Sequence, residues 1–400
     1  MKIAVYYNLG PGGGKKALYF IIQGILKNNH TVDVYTTSLA EHEFYDLRPL
    51  VRTYIIEQVS GVKIIPSHGP LKVLRTIRHL LPTEKAIAKK IHAGQYDVAL
   101  VTNCRFTQHP QLLRLLHIPV VLYSQEVLRG YYEKTLLQNL GSAGEPSRMR
   151  SIRWKTFIIS YLLNTWARID RQNILSVSPE HILVNSFFSR ENFMRAYGIT
   201  PTTCYLGVER QQSRPKTRTE RNNYILSVGG FEPTKGHDWV IRALTKIHPD
   251  LRPHLEIVGD RGSKQYQKIL CDLSAQYGVT TVFHQNIPDA GIQDLYARAL
   301  MVVCAQWMEP FGFVPIEAQS FGTPVIAVRE GGLRETVIDH HGGLLCNRDV
   351  DDMAEAISRL LENEKLWAKL SKNGPDFVQE RFSWDQTAER IEALLRSAHE

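Results

Sequence analysis

The fold that we predict for this chain is decided by one stretch, Glu309-Pro310-Phe311-Gly312-Phe313-Val314-Pro315-Ile316-Glu317. Residues 300–305, just before it, form a short apolar run that predicts a strand, and residues 316–321 are predicted to begin a helix. The stretch is therefore a strand-to-helix loop at the carboxyl end of a strand, where α/β sheets bind their ligands. Pro315 suits the first helical turn, because its missing N–H would have no partner there.

Two carboxylates flank this predicted loop. Glu309 lies in the loop and Glu317 lies in the helix, while Gly312 lets the backbone approach a ligand closely. The N–H groups of a first helical turn favour an anionic oxygen such as that of a phosphate. These residues alone leave two interpretations open, an anion-binding crevice between two carboxylates or an ordinary surface unit whose glutamates are only solvated.

The succession of strand, glycine-rich loop, helix and strand occurs twice along the chain. It begins with the apolar run at 3–7 and recurs from the predicted strand at 224–228, through a helix at 237–247, to a strand at 255–259. Each succession is a βαβ unit, which predicts two α/β domains with parallel sheets. Residues 209–223 are polar and are predicted to form the linker between the domains.

Further elements are predicted in the first domain. Residues 96–102 and 119–123 are apolar runs of strand length, and residues 110–116 between them are predicted to form a helix. The first strand is followed by Gly12-Gly13-Gly14. This loop is not a P-loop, because the required spacing fails at Lys15-Lys16, and it lacks the third spaced glycine of a dinucleotide fingerprint. The residues alone indicate a tight turn.

Composition narrows the class of protein. The chain has 400 residues, 43% of them hydrophobic, and a formal net charge of +8, which favours anionic partners. No zinc-finger spacing and no long basic run point to nucleic acid, so we expect no nucleic-acid partner. Five scattered cysteines predict free thiols rather than a disulfide framework. No signal-peptide pattern is present at the first residues, and we expect a cytoplasmic protein.

The motifs together resemble glycosyltransferase family 4, the retaining, nucleotide-sugar-dependent group 1 enzymes. The pair Glu309 and Glu317 is similar to the family's signature of two glutamates with seven residues between them. The following run resembles its next block, with Gly322-Thr323-Pro324-Val325-Ile326-Ala327, then Gly331-Gly332 and Glu335, then Gly342-Gly343-Leu344-Leu345. The resemblance is strongest over residues 181–390, and the first domain shares only the overall pattern.

The resemblance implies the GT-B architecture, an α/β fold of two Rossmann-like, doubly wound domains that face a central cleft. The domains would be an acceptor-side domain at 1–208, the linker at 209–223, a nucleotide-sugar-binding domain at 224–380 and a C-terminal helix at 381–400 that returns to the first domain. Such an enzyme moves a hexose from a nucleotide diphosphate sugar to a glycan, lipid-linked or small-molecule acceptor in carbohydrate biosynthesis. It needs no cofactor and no metal ion.

The resemblance also implies the site residues. Glu309 would be catalytic, and Gln125 and Glu126 would lie near the sugar or the acceptor. The residues that would bind the donor come from three loops and the helix start, and they are Gly13, Gly14, Gly229, Gly230, Lys235, Ile287, Phe311, Gly312, Phe313, Val314 and Glu317.

The chain departs from the family pattern at two positions. Gly230 stands where the family has an arginine, which removes one bidentate phosphate clamp unless another residue such as Arg261 or Arg329 replaces it. Gln125 stands where the family has a histidine, and an amide cannot exchange a proton near neutral pH. The acidic run Asp349-Val350-Asp351-Asp352 is predicted to be a helix N-cap rather than a metal motif.

Other functions remain open from the sequence. Basic amphipathic segments at 71–90 and 149–173 indicate either peripheral contact with a membrane or packed helices with a solvated basic edge. The alternatives to a transferase are a GT-B sugar-nucleotide epimerase and a catalytically weak, glycosyltransferase-like binding protein. A nicotinamide-dependent oxidoreductase would need a dinucleotide fingerprint that is not present. The sequence identifies neither the base, nor the sugar, nor the acceptor.

Overall fold

The structure is a computed structural model that describes residues 1–61, 70–133, 153–211, 214–260 and 262–400, without the side chains of residues 70 and 153–158. The chain divides into two compact units. The first unit consists of residues 1–207 and 384–400, and the second unit consists of residues 208–383. Elements are numbered below in chain order.

The first unit contains a parallel sheet of seven strands in the order β3-β2-β1-β4-β5-β6-β7. The strands are β1 (Lys2–Asn8), β2 (Thr31–Thr37), β3 (Thr53–Glu57), β4 (Val98–Cys104), β5 (Val120–Ser124), β6 (Ile182–Val184) and β7 (Thr202–Thr203). The helices are α1 (Gly13–Lys27), α2 (Pro70–Ala93), α3 (Arg129–Tyr132), α4 (Arg153–Ile174), α5 (Phe187–Tyr197) and α13 (Trp384–His399).

The second unit contains a parallel sheet of six strands in the order β10-β9-β8-β11-β12-β13. The strands are β8 (Tyr224–Val228), β9 (His254–Val258), β10 (Thr281–His284), β11 (Met301–Cys304), β12 (Val325–Val328) and β13 (Gly343–Cys346). The helices are α6 (His237–Thr245), α7 (Lys264–Gln276), α8 (Asp289–Arg298), α9 (Phe313–Ser320), α10 (Leu333–Thr336), α11 (Val350–Glu362) and α12 (Glu364–Arg381).

The central strands are buried because helices cover both faces of each sheet, and they are therefore mainly apolar instead of alternating. Every residue of β4 and of β11 is buried. The register places apolar residues opposite one another. Val5 of β1 lies opposite Val34 of β2 on one side and opposite Leu100 of β4 on the other. Both units are thus Rossmann-like, which confirms the predicted fold class.

Two predicted helices need correction. The prediction of a helix at 110–116 is wrong, because only a 3₁₀ turn, Gln111–Arg114, forms there. Pro119 disfavours helical backbone at Ile118, so a helix could not continue to the start of β5. The helix predicted to begin at Ile316 begins three residues earlier, at Phe313, because Gly312 caps it with a positive φ of 104°.

The polar segment predicted to be a linker, 209–223, groups with the second unit. Arg221 shows why, because its guanidinium is buried and donates to the backbone carbonyls of Phe321, Gly322 and Ala299 at 3.1, 2.9 and 3.0 Å. A buried guanidinium needs such partners for its N–H donors. The end of the segment is therefore anchored to the second unit.

The strand orders place one topological switch point in each unit. Chain connections leave β1 and β4 in opposite directions in the first sheet, and they leave β8 and β11 in opposite directions in the second sheet. The crevice outside the carboxyl ends of such a strand pair is where open α/β sheets bind ligands. Within the described parts of the chain, no helix is both long enough and apolar enough to cross a membrane.

Candidate functional site

Lys235 and Glu309 meet at the switch point of the second unit. Lys235 ends a short 3₁₀ turn after β8, and Glu309 lies in the loop between β11 and α9. The Lys235 Nζ atom lies 3.0 Å from the Glu309 Oε2 atom, and the two side chains are 29% and 23% exposed. The loops of two adjacent strands thus bring a cation and a carboxylate together at the ligand-binding edge, although 74 residues separate them in sequence.

Two glycines hold the backbone of the Glu309 loop. The Gly332 N–H donates to the Glu309 carbonyl at 2.7 Å. A Cβ atom would lie 2.5 Å from the Glu309 carbonyl oxygen at Gly331 and 2.5 Å from the Pro310 oxygen at Gly332. Any side chain would push the loop away, which explains the Gly-Gly pair in physical terms.

An arginine supports the same loop from its other end, and sequence reasoning missed it. The Arg348 guanidinium donates to the carbonyls of residues 305 and 306 at 3.0 and 2.8 Å and pairs with Glu330 at 2.7 Å. It also lies 4.0 Å from the centroid of the Trp307 ring. The Trp307 N–H donates to the Thr234 carbonyl at 2.8 Å, so the Glu309 loop is tied to the residue before the lysine.

His237 fixes the glycine loop after β8. It is fully buried, its Nε2 lies 3.1 Å from the Gly229 carbonyl and its Nδ1 lies 2.8 Å from the Ser227 hydroxyl. Because a carbonyl only accepts, the Nε2 carries the proton. Burial lowers the pKa of His237 to about 4, so the ring stays neutral. The stem of Lys235 packs against Gly229, where a Cβ atom would lie 3.0 Å from the Lys235 Cγ.

The start of α9 adds backbone donors to this edge. Gly312 caps the helix without a side-chain cap, and Phe313 and Val314 are the first two helical residues. The Phe311 side chain is only 3% exposed and packs against the Phe313 ring at 5.4 Å between centroids. Its side chain therefore belongs to the core, and any contribution to the predicted donor site comes from its backbone.

Glu317 has a buried partner that the sequence did not reveal. The Tyr296 hydroxyl donates to the Glu317 Oε2 at 2.9 Å, from α8 to α9. Two further predicted donor residues, Ile287 and Gly230, lie in the loops that follow β10 and β8, and Ile287 packs partly buried against the core. The structure thus groups the second unit's predicted residues at one edge of its sheet, and their roles stay predictions.

The predicted residues of the first unit also lie together. Gly13 and Gly14 begin α1, and the Gln125 Nε2 donates to the Gly14 carbonyl at 3.4 Å. The Gln125 N–H donates to the Asn103 Oδ1 at 2.8 Å, which fixes the backbone after β5. The Glu126 carbonyl accepts from the Gln108 amide at 2.8 Å.

A buried polar cluster stands behind this edge. The His109 ring lies between the Asp170 Oδ1, 2.8 Å from its Nδ1, and the Ser124 hydroxyl, 2.9 Å from its Nε2. All three side chains are fully buried, so this arrangement is not a nucleophilic triad open to substrate. Lys15 is also buried and donates to the Tyr7 hydroxyl at 3.0 Å, and burial lowers the pKa of Lys15 to about 8.

The departures from the family pattern are not resolved by neighbouring arginines. Arg329 pairs with Asp339 at 3.2 Å and donates to the Leu345 carbonyl, so it is engaged on the far strands. Arg261 lies outside the described residues. The Asp349 carboxylate accepts from the N–H groups of residues 351 and 352 at 2.9 and 3.0 Å, which confirms the predicted helix N-cap.

Comparison with known proteins finds relatives for part of this chain. Residues 209–377 match the family model described as Glycosyl transferases group 1. The chain is 32% identical over 254 residues to the D-inositol 3-phosphate glycosyltransferase of Saccharomonospora viridis, over 58% of each chain. It is 32% identical over 199 residues to the putative glycosyltransferase YtcC of Bacillus subtilis, over 47% of this chain and 48% of YtcC. The chain thus spans less than two thirds of the length of these relatives.

Solved structures extend the similarity in fold to both units. Sucrose-phosphate synthase from Thermosynechococcus elongatus superposes with a TM-score of 0.74 at 22% identity, over 99% of this chain and 98% of that one. Anabaena HepE in complex with UDP-glucose superposes with a TM-score of 0.73 at 20% identity, over 99% and 100%. Each unit therefore shares the Rossmann-like fold of these two proteins. The match to the group 1 glycosyl transferase model lies within the second unit.

Proposed function

We propose that this protein transfers a hexose from a nucleotide diphosphate sugar to an acceptor hydroxyl, with retention of configuration at the anomeric carbon. The acceptor would be a glycan, a lipid-linked molecule or a small molecule. The observation that carries the proposal is the contact of Lys235 with Glu309 beside the start of α9. The names of the relatives support it, as does the UDP-glucose that HepE binds.

Such a site must first stabilise the leaving group. When the bond between the anomeric carbon and the diphosphate breaks, negative charge develops on the diphosphate oxygens. The Lys235 ammonium and the N–H groups at the start of α9 would stabilise that charge. No metal ion is needed for this arrangement, and we expect the rate to be unchanged by a chelator such as EDTA. Loss of activity that added Mg²⁺ or Mn²⁺ restores would contradict this part of the proposal.

The two glutamates would have different roles. Glu309 would hold a sugar hydroxyl and counter the positive charge that develops on the ring, an interaction that strengthens in the transition state. Glu317 lies five residues after the Gly312 cap and would bind the ribose hydroxyls. The acceptor hydroxyl would attack from the face that the diphosphate leaves, and its proton would depart with the diphosphate.

The donor class is tested by a thermal-shift screen with UDP, GDP, ADP, CMP and dTDP. A ligand at a hundred times its dissociation constant stabilises the folded state by about 2.7 kcal/mol. We expect one nucleoside diphosphate to stabilise the wild type and Lys369→Ala, an exposed lysine variant on α12, but not Lys235→Ala. If no nucleotide shifts the wild type, Gly230 has disabled the donor site, and the chain is a binding protein of another kind.

The reaction itself is tested with the nucleotide sugar that the screen selects. A transferase releases nucleoside diphosphate only when the acceptor is present, whereas an epimerase changes the donor alone. The anomeric proton of the product, observed by NMR, reports whether configuration is retained. An inverted product would overturn the retaining mechanism and leave the transferase intact.

We further propose that the protein works in the cytoplasm in peripheral contact with an anionic membrane. Six side chains of α2 are basic and exposed, namely Lys90, which pairs with Glu57, and five others. The only acidic residue of the helix, Glu84, is buried. Four of the five recur at spacings of three, four and seven and share one face of the helix. They are Arg75, Arg78, Lys85 and Lys89, with Lys72 beside them.

Cosedimentation with vesicles tests this contact. At low salt we expect binding to phosphatidylglycerol vesicles but not to phosphatidylcholine vesicles, because the attraction is electrostatic. Charge reversal of Arg75, Arg78 and Lys85 to Glu should abolish binding. Reversal of Lys268, Lys365 and Lys369, which are exposed in the second unit, should not. Equal binding by both variants would reject α2 as the contact.

A further inference from the structure

Tyr296 and Glu317 form a hydrogen-bonded pair that joins α8 to α9. The Tyr296 side chain is 1% exposed, and its hydroxyl lies 2.9 Å from the Glu317 Oε2. The Glu317 side chain is half-buried, so its carboxylate lies between the core and the ligand edge. The phenol thus reaches this carboxylate from the protein interior.

The tyrosine is held rigidly from its own side. Its ring stacks on Phe321, with centroids 6.2 Å apart and planes 20° from parallel. Its carbonyl accepts from the Thr323 hydroxyl at 2.6 Å and from the Arg221 guanidinium at 3.4 Å. Both ends of the residue are therefore fixed, and the position of the hydroxyl is set by packing.

The hydroxyl is a permanent donor. Burial, together with the neighbouring charge of Glu317, raises the pKa of Tyr296 well above its usual value, so the phenol stays protonated at any working pH. A glutamate carboxylate rotates broadly about its terminal bond when nothing holds it. A ribose presents adjacent 2′ and 3′ hydroxyls, and two hydrogen bonds to one carboxylate require a set plane. A fixed donor on one oxygen sets that plane in advance.

We propose that Tyr296 is a positioning residue that orients the Glu317 carboxylate for the ribose hydroxyls of the donor nucleotide. The proposal rests on the proposed function, in which Glu317 binds the ribose. Tyr296 does not touch the nucleotide. It selects a ribonucleotide by presenting both carboxylate oxygens in one orientation.

The test combines one substitution with one change in the ligand. Tyr296→Phe removes only the hydroxyl and keeps the stacked ring. We expect the dissociation constant for UDP, the first probe, to rise roughly 10- to 100-fold, the range that corresponds to the loss of a hydrogen bond to a charged group. With 2′,3′-dideoxy-UDP, which lacks the two hydroxyls, wild type and Tyr296→Phe should bind equally weakly. KM for the donor sugar should rise while kcat changes little. If another nucleoside diphosphate stabilises the wild type, that nucleotide and its dideoxy form are used.

The chain offers a matched control. The Tyr266 hydroxyl donates to the Asp238 Oδ1 at 2.7 Å in the same unit, outside the predicted site. Tyr266→Phe should lower thermal stability about as much as Tyr296→Phe, and it should leave the binding of UDP and of its dideoxy form unchanged.

Three outcomes overturn the proposal, and they are distinguishable. Wild type that binds no nucleoside diphosphate rejects the proposed function and this inference together. Tyr296→Phe that binds the ribonucleotide as wild type does rejects the positioning role alone. Equal losses with both nucleotides show that Tyr296 only maintains the fold.

Discussion

The ligand-binding edge of the parallel sheet is held by different contacts in the two units. In the second unit, loops approach each other backbone to backbone. A Cβ atom at Gly236 would lie 2.2 Å from the Ala305 carbonyl oxygen, and one at Gly331 would lie 2.5 Å from that of Glu309. In the first unit, the edge rests on buried polar side chains, such as His109 between Asp170 and Ser124.

This difference explains why the sequence of the second unit predicted its structure better than the sequence of the first unit did. A backbone contact at such distances allows glycine alone, so it leaves a fixed pattern of glycines in the sequence. A side-chain network can be built from several residue types, because many donors and acceptors satisfy the same geometry. The group 1 family model accordingly matches residues 209–377, inside the second unit.

The largest expected effect lies in the second unit. Glu309→Gln keeps the shape but removes the negative charge that would counter the sugar's developing positive charge. We expect kcat to fall by roughly 10²- to 10³-fold, while the dissociation constant of the nucleoside diphosphate changes less than about threefold. Steady-state kinetics and calorimetry measure the two quantities. The control is Glu355→Gln, an exposed carboxylate on α11. Unchanged kcat would remove Glu309 from the catalytic role.

Buried titratable groups should give the two units opposite dependences on pH. Burial raises the pKa of Glu84, in the first unit, from 4.5 to about 7. The folded state then binds the extra proton, so the first unit loses stability as pH rises from about 4.5 to 7. Burial lowers the pKa of His237, in the second unit, from 6.5 to about 4. There the unfolded state binds the extra proton, and stability is lost as pH falls from about 6.5 to 4.

Each shift corresponds to a change on the order of 3 kcal/mol. Urea unfolding between pH 4.5 and 8 measures it, with probes that report on each unit. Glu84→Gln should flatten the dependence of the first unit, and the exposed Glu180→Gln should leave it as it is. His237→Gln should do the same for the second unit, with the exposed His248→Gln as its control. The same dependence of stability on pH in both units would contradict this prediction.

A smaller effect is the difference in stability lost when a glycine is replaced at the edge of each sheet. Gly331→Ala places a Cβ atom against a carbonyl oxygen at a φ of 56°, so we expect a loss of roughly 2 kcal/mol in the free energy of unfolding. At Gly14 the new atom would lie 3.1 Å from the flexible Gln125 Oε1, which can move away. Gly14→Ala should therefore cost less than about 0.5 kcal/mol. Chemical denaturation compares the two variants. Equal losses would show that the first edge is as constrained as the second.

The smallest expected effect is in the predicted acceptor region. Gln125→Ala removes an amide that cannot transfer a proton but can hold a hydroxyl. We expect kcat/KM for the acceptor to fall about tenfold, with donor binding and the shape of the pH–rate profile unchanged. Kinetics at saturating donor measure the first quantity. A changed pH profile would show that this edge takes part in proton transfer, which would make the two units more alike than we propose.

Much of the second unit followed from local patterns. The strand at 224–228 was predicted with its observed bounds, and the loop that carries Glu309 was placed correctly between a strand and a helix. In the first unit, sequence reasoning missed β3 and α5. β3 is partly exposed and short, so its pattern is weak. The start of α5 is set by the Ser186 cap, whose hydroxyl accepts from the Ser189 N–H at 2.9 Å.

The sequence by itself determined the two βαβ successions, the glycine pattern and the paired glutamates, because periodicity and close backbone contact are local properties. Only the tertiary structure showed that Lys235 meets Glu309, that Tyr296 reaches Glu317 and that Arg348 supports the Glu309 loop. These partners are 74, 21 and about 40 residues apart. Such distant side chains meet only after the strands have taken their order in the sheet, and no local pattern encodes that order.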